Sequence, residues 1–346
     1  MTIDLLILGN APMETMLKRV RLAEDNGYDI AWLADERFYR EVYSCLTNFA
    51  LNTKRIKLGP CVTDPYARHP ALTAMAIATL DEISGQRAVL GVGAGISGFA
   101  EMGVERLKPA RAIRETVELV RRLLCGEQVT YEGQVVKFRE GRLSFKPVRS
   151  SIPVYIASNG PLGQKTAGAV ADGAIMEACG NPLEVKAFRK VLDEGAVKEG
   201  RSPKSVKLVA RLNTCIASEG KVARDTLRPT VARMLGANRL QFRTNAGQNL
   251  SLPADAVASV AGAAYADGVK PYLHLLPRIT DRHVNSFMLA GDTKEVAQRV
   301  VELMNAGVDS FIIMPFAPEG GTIEDTIVKF GSEVWPMAQA MLKAGR

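Results

Sequence analysis

Histidine is scarce, with three in 346 residues, and His69, His274 and His283 have none of the spacings by which imidazoles share a metal ion. The five cysteines, Cys45, Cys61, Cys125, Cys179 and Cys215, are odd in number, widely separated and free of any C-x-x-C. That pattern argues against a disulfide framework and a zinc site alike. No metal is therefore expected, and a reducing cytoplasm is the expected location. No G-x-S-x-G elbow occurs, so a serine hydrolase lacks its nucleophile turn. Long apolar runs are missing too. The opening "MTIDLLILGNAP" has no basic segment and only about six apolar-rich residues, too few for a signal peptide or a membrane span. The net charge is +7, but Lys and Arg are spread along the chain instead of gathered in runs. No nucleic-acid partner is expected; an acidic or phosphorylated small molecule suits the excess better.

What is present is an ordinary globular composition, 47% apolar and 23% charged, able to bury a sizeable core. Short apolar runs alternate with longer stretches of helical period, the pattern of repeated βα units. Strands are predicted at Ile3–Leu8, Ile30–Leu33, Ile56–Leu58, Ala88–Val92, Val154–Ala157, Gly173–Ile175, Val206–Cys215 and Ser310–Met314. The helix predicted over Pro109–Leu124 has proline in its first turn and an apolar stripe of Ile113, Val117, Val120 and Leu124. Glu118 and Arg122 sit four apart on its other side, as a helical ion pair would. In "AEDNGYDIAWLAD" and "MNAGVDSFIIMP" a helix is expected to close at a glycine and feed the next strand. Eight such units point to a single α/β domain over 1–346, a closed (β/α)₈ TIM barrel with two insertions. One is a hairpin over 126–147, before strand five. The other is an extra helical, lid-like region over 219–290, after strand seven.

In such a barrel the chemistry lies just beyond the strands' C-terminal ends. Strand two is followed by Asp35 and Glu36, strand three by "GPCVTDPYARHP", strand four by Gly93–Gly98, and strand five by Ser158, Asn159 and Gly160. The Gly93–Gly98 run fits G-x-G-x-x-G, but no acidic residue follows at the end of a next strand, as a dinucleotide fold needs. Bare backbone there suits a flat ring better. "GPLGQKT" departs from the P-loop spacing; it reads either as an anion site at a helix start or as a tight turn. His69 before Pro70 reads as the start of a helix.

Three blocks in order, "WLADERFYREVYSCL", "LNTKRIKLGPCVTDPYARHPALTAMAIATLDEISGQRAVLGVGAGISGFAEMGV" and "PVYIASNGPLGQKTAGAVADGAI", resemble the luciferase-like superfamily of flavin- and coenzyme F420-dependent oxidoreductases. Within it the similarity is to methylene-tetrahydromethanopterin reductases. The resemblance implies a (β/α)₈ barrel whose mouth holds F420 or FMN. Cys61, Val62 and Thr63 would back the ring through a cis bond at Cys61–Val62. Ala94 and Gly95 would touch the ring, and Ser158, Asn159 and Gly160 would hold its phosphate. Asp35 matches the family's acidic residue near ring and substrate. Where many deazaflavin members carry histidine next, this chain has Glu36, which takes an acid/base role only if burial raises its pKa.

The implied activity is hydride transfer between the cofactor and a small electrophilic substrate, such as the C1 unit of a tetrahydropterin, in a homodimer. The alternatives are a two-component FMN-dependent monooxygenase served by a flavin reductase, and a flavin-binding barrel without turnover. Cofactor identity separates the first two, because a deazaflavin has carbon in place of N5 and does not readily activate O₂.

Overall fold

The computed structural model describes residues 1–95, 97–237, 250–264 and 267–345. The first half of the chain alternates strand and helix: β1 Thr2–Ile7, α1 Met13–Asp25, β2 Ile30–Leu33, α2 Val42–Asn52, β3 Lys57–Pro60, α3 Pro70–Ile83, β4 Leu90–Gly93 and α4 Pro109–Leu124. A hairpin of β5 Val129–Glu132 and β6 Lys137–Gly141 follows. The alternation then resumes with β7 Val154–Ala157, α5 Pro161–Val170, β8 Gly173–Glu177, α6 Pro182–Lys198 and β9 Lys207–Ile216. Next come α7 Gly220–Gly236, α8 Ala254–Ala258, α9 Asp281–Phe287, β10 Leu289–Gly291, α10 Thr293–Ala306, β11 Ser310–Pro315, α11 Ile323–Lys329 and α12 Trp335–Ala344.

Eight strands run in the order β3, β2, β1, β11, β9, β8, β7, β4, each parallel to its neighbour. The ring closes between β3 and β4 through parallel bridges Leu58 to Ala88 and Thr63 to Val92. Five steps on one strand thus face four on the other, so β3 carries one extra residue, a bulge in the seam. All eight sequence-predicted strands are present. They read as short continuous apolar runs because both faces are covered. Leu6, Trp32, Val89, Tyr155, Ile175, Val209 and Ile312 fill the interior. The alternate residues, among them Leu5, Leu33, Leu90, Ile156, Leu208 and Phe311, pack beneath the helices.

The expected helix ends hold. Gly27 and Gly307 have φ of 77° and 114°, the left-handed conformation that lets a chain leave a helix at little cost. His69 is the N-cap of α3: its Nδ1 accepts from Ala71 N at 3.1 Å, and its Nε2 lies 3.0 Å from the Lys137 carbonyl. One local expectation needs correction. Glu118 pairs with Arg114, at 2.8 Å, and not with Arg122, which turns to Glu127 at 2.8 Å beyond the helix end. The hairpin explains the change, since it brings the Tyr131 hydroxyl to within 2.5 Å of Glu118.

The hairpin is fastened to α4 by Glu115, 3% exposed, whose carboxylate accepts from the backbone N–H groups of Gln134, Val135 and Val136, each at 2.9 Å. After β9, α7 packs on α9 and β10 around a separate core that includes Leu227, Val231, Leu250, Tyr272 and Phe287. β10 pairs with β9 at Thr214, which also faces Pro315 of β11. β10 therefore extends the edge of β9 that β8 occupies lower down. Residues 238–249 and 265–266 of the insertion expected over 219–290 lie outside the described residues. Among the described residues no helix is long and apolar enough to cross a membrane.

Candidate active site

At the C-terminal ends of the strands lies a cleft of about 560 Å³. Its wall includes Asp35, Glu36, Cys61, Val62, Ala94, Gly95, Ser158, Asn159 and Gly160, so nine of the ten sequence-nominated residues meet around one space. Thr63, the tenth, is 1% exposed and sits behind the wall, near enough to Asp35 for its hydroxyl to lower that carboxyl's pKa.

The floor is mostly backbone. The Cys61–Val62 peptide is cis, and a Cβ placed on Gly93 would come within 2.4 Å of Val62 Cγ2. Glycine on β4 thus lets the Val62 side chain lie flat against that strand. Burial pushes the Cys61 thiol up to about 12, which disfavours the thiolate that a nucleophile needs. Beside this floor, beyond β7, the neighbour of β4, Ser158, Asn159 and Gly160 lead into α5, whose first N–H groups lack helical partners. A Cβ on Gly160 would meet nothing within 4 Å. That open approach to a helix N-terminus fits the anionic tail of a cofactor.

The polar rim is built from two loops. Asp35 Oδ1 accepts from Arg37 Nη1 at 3.2 Å, with each side chain 13% exposed. Burial raises the Asp35 pKa, partly offset by Arg37 and the Thr63 hydroxyl. Arg37 also pairs with buried Asp64, and its guanidinium lies 5.5 Å from the centre of the Phe99 ring, with that of Arg106 at 5.2 Å from the same ring. Half-buried Glu36 accepts from the Ser97 hydroxyl. The loop after β2 is thereby latched to the loop after β4. Beneath, inside the barrel, Asp4 accepts from Trp32 Nε1 at 3.3 Å, and burial holds its carboxyl protonated up to about 8.

Sequence reasoning passed over Glu177 and Arg211, which face the cleft from β8 and β9. They are partners in register, and Arg211 Nη1 donates to Glu177 Oε1 at 3.0 Å. A signal existed: an arginine inside the apolar run Val206–Cys215 is expensive unless paired or solvated. Among the described residues no group of three or more His, Cys, Asp or Glu is placed to hold a metal ion.

Comparison with known proteins agrees with this geometry. The chain is 36% identical over 321 residues to 5,10-methylenetetrahydromethanopterin reductase of Archaeoglobus fulgidus, covering 92% of this chain and 93% of that one. It is 26% identical to F420-dependent glucose-6-phosphate dehydrogenase of Amycolatopsis mediterranei, with 92% of each covered. The solved coenzyme F420 dependent tetrahydromethanopterin reductase from Methanopyrus kandleri superposes with a TM-score of 0.83 at 30% identity, covering 97% of this chain and 98% of that one. With a sequence model that matches residues 5–310, the chain belongs to the luciferase-like monooxygenase family, whose barrel it has.

Proposed function

We propose that the protein is a coenzyme F420-dependent reductase acting on the one-carbon unit of a tetrahydropterin. The observation that carries this reading is the cleft itself: a floor of bare backbone for a flat ring, an open helix N-terminus for an anionic tail, and a carboxyl, Asp35, whose pKa burial raises. Relatives named as methylenetetrahydromethanopterin reductases, aligned over more than nine-tenths of this chain, supply the substrate class.

When bound, reduced F420 supplies the hydride. Cys61, Val62, Ala94 and Gly95 would support its ring, and Ser158, Asn159 and Gly160 its phosphate. Asp35 would hold a proton at the rim. Reduction of a methylene bridging two nitrogens forms a C–H bond, breaks one C–N bond and leaves that nitrogen needing a proton, which Asp35 is placed to give. The Arg37 contact and the latch between the two loops keep that carboxyl pointed into the cleft and limit water there.

Titration of the purified protein with oxidised and reduced F420, and separately with FMN, by absorbance and fluorescence tests this reading. Micromolar or tighter binding of F420, with FMN weaker by about ten-fold or more, is the expected result. Tighter binding of FMN, or no binding of F420, overturns it.

A further inference from the structure

The mechanism above leaves one charged pair in the cleft without a task. Glu177 ends β8, Arg211 lies midway along β9, and the two strands place them side by side. Putting two charges on the inner wall of a barrel costs desolvation that their mutual attraction seldom recovers. A ligand that uses both would account for keeping them there. The Arg211 side chain is 15% exposed, with Nη1 on Glu177 and Nη2 against the Met314 sulfur, a soft acceptor. The Glu177 side chain is 38% exposed, with Oε1 on Arg211 and Oε2 only loosely approached by Asn159 Nδ2 at 3.5 Å, so each oxygen keeps a lone pair for a ligand in the cleft. In the ring of eight strands β9 stands four places from β3 in either direction. The pair therefore faces the Cys61–Val62 floor from across the barrel.

We infer that Glu177 and Arg211 bind the heterocycle of the substrate, gripping the 2-amino-4-oxopyrimidine edge of a tetrahydropterin. The inference rests on the substrate class proposed above and adds the residues that read it. The pair presents two carboxylate acceptors beside a guanidinium donor. A pterin edge presents two donors, the 2-amino group and N3–H, beside one acceptor, O4, so all three positions match in order. The pyrimidine edge of a deazaflavin or flavin presents oxygen, N–H, oxygen. Against that edge a carboxylate accepts one hydrogen bond and meets a carbonyl oxygen with the other atom. The pair is therefore complementary to the substrate and mismatched to the cofactor.

The test is equilibrium binding to the cofactor-free protein of pterin and of lumazine, which share N3–H and O4 but carry a 2-amino group beside bare N1 in one and a 2-oxo group beside N1–H in the other, alongside a separate F420 titration. Wild-type protein is expected to prefer pterin by about ten-fold or more. Glu177→Gln, which offers a donor in place of one acceptor, is expected to abolish or reverse that preference while F420 affinity stays within about two-fold. Arg211→Met is expected to weaken both pteridines together. Equal binding of pterin and lumazine by the wild type, an unchanged preference in Glu177→Gln, or an equal loss of F420 affinity in that variant would overturn the inference. Failure to bind F420, with the pterin preference intact, would remove the cofactor reading and leave this one standing.

Discussion

Asp35 keeps its proton further up the pH scale than a carboxyl in water does, because burial penalises the charged form more than Arg37 and Thr63 favour it. If the protonated acid is the working form, turnover is complete at low pH and falls as pH rises through the raised value. Asp35→Asn is expected to cut kcat by roughly 100-fold and to erase that limb of the pH profile, while F420 binding is retained. Steady-state rates over a pH series check this, and unchanged turnover would remove Asp35 from the chemistry. At this scale much of the site was legible, because barrel chemistry gathers at strand ends and strand ends can be read from short apolar runs. Glu177 and Arg211 were missed for a physical reason. They are 34 positions apart in the chain, and their partnership exists only once β8 and β9 are in register. Arg106 and Phe99 likewise gain meaning only when the loop after β4 folds back on Arg37.

Among the elements, the β5–β6 hairpin is held on α4 by Glu118, through Tyr131, and by Glu115, which takes three of its backbone N–H groups. Burial opposes the charge on Glu115, yet three backbone N–H groups outweigh it and hold its carboxyl below the ordinary glutamate range. A depressed folded pKa contributes stability in full above the ordinary glutamate value and loses it as pH falls through the lower one. Glu115→Gln is therefore expected to destabilise the protein by about 2 kcal/mol near neutrality, with the gap to wild type closing in acid. Thermal melts at several pH values measure it, and faster proteolysis within 129–141 would place the effect in the hairpin. The barrel strands were readable as short apolar runs and α4 by its helical period. β10 was not: its three residues have no period of their own, and they form a strand only because β9 outruns β8 and leaves an edge to be paired.

Over the whole molecule the balance of charge is positive by seven, while in the cleft Arg37, Arg106 and Arg211 are matched in number by Asp35, Glu36 and Glu177, so the field on an anion there is that of the molecule as a whole. A polyanionic cofactor tail should be drawn in by that field, and salt should weaken the attraction. The F420 dissociation constant is expected to rise roughly three- to ten-fold between 50 and 500 mM salt. Riboflavin, which has no phosphate, should show little change in the same titrations; equal salt dependence for the two would mean that the field does not act on the tail. The extra residue in the β3–β4 seam has a separate effect on this mouth. A regular strand shows every second side chain to one side, so neighbours in sequence never share a face. One residue too many resets that count, and Cys61 and Val62 both come to line the cleft. A flat ring in the cleft would then rest on two consecutive residues at the end of β3, a broader ledge than an unbroken pleat can provide.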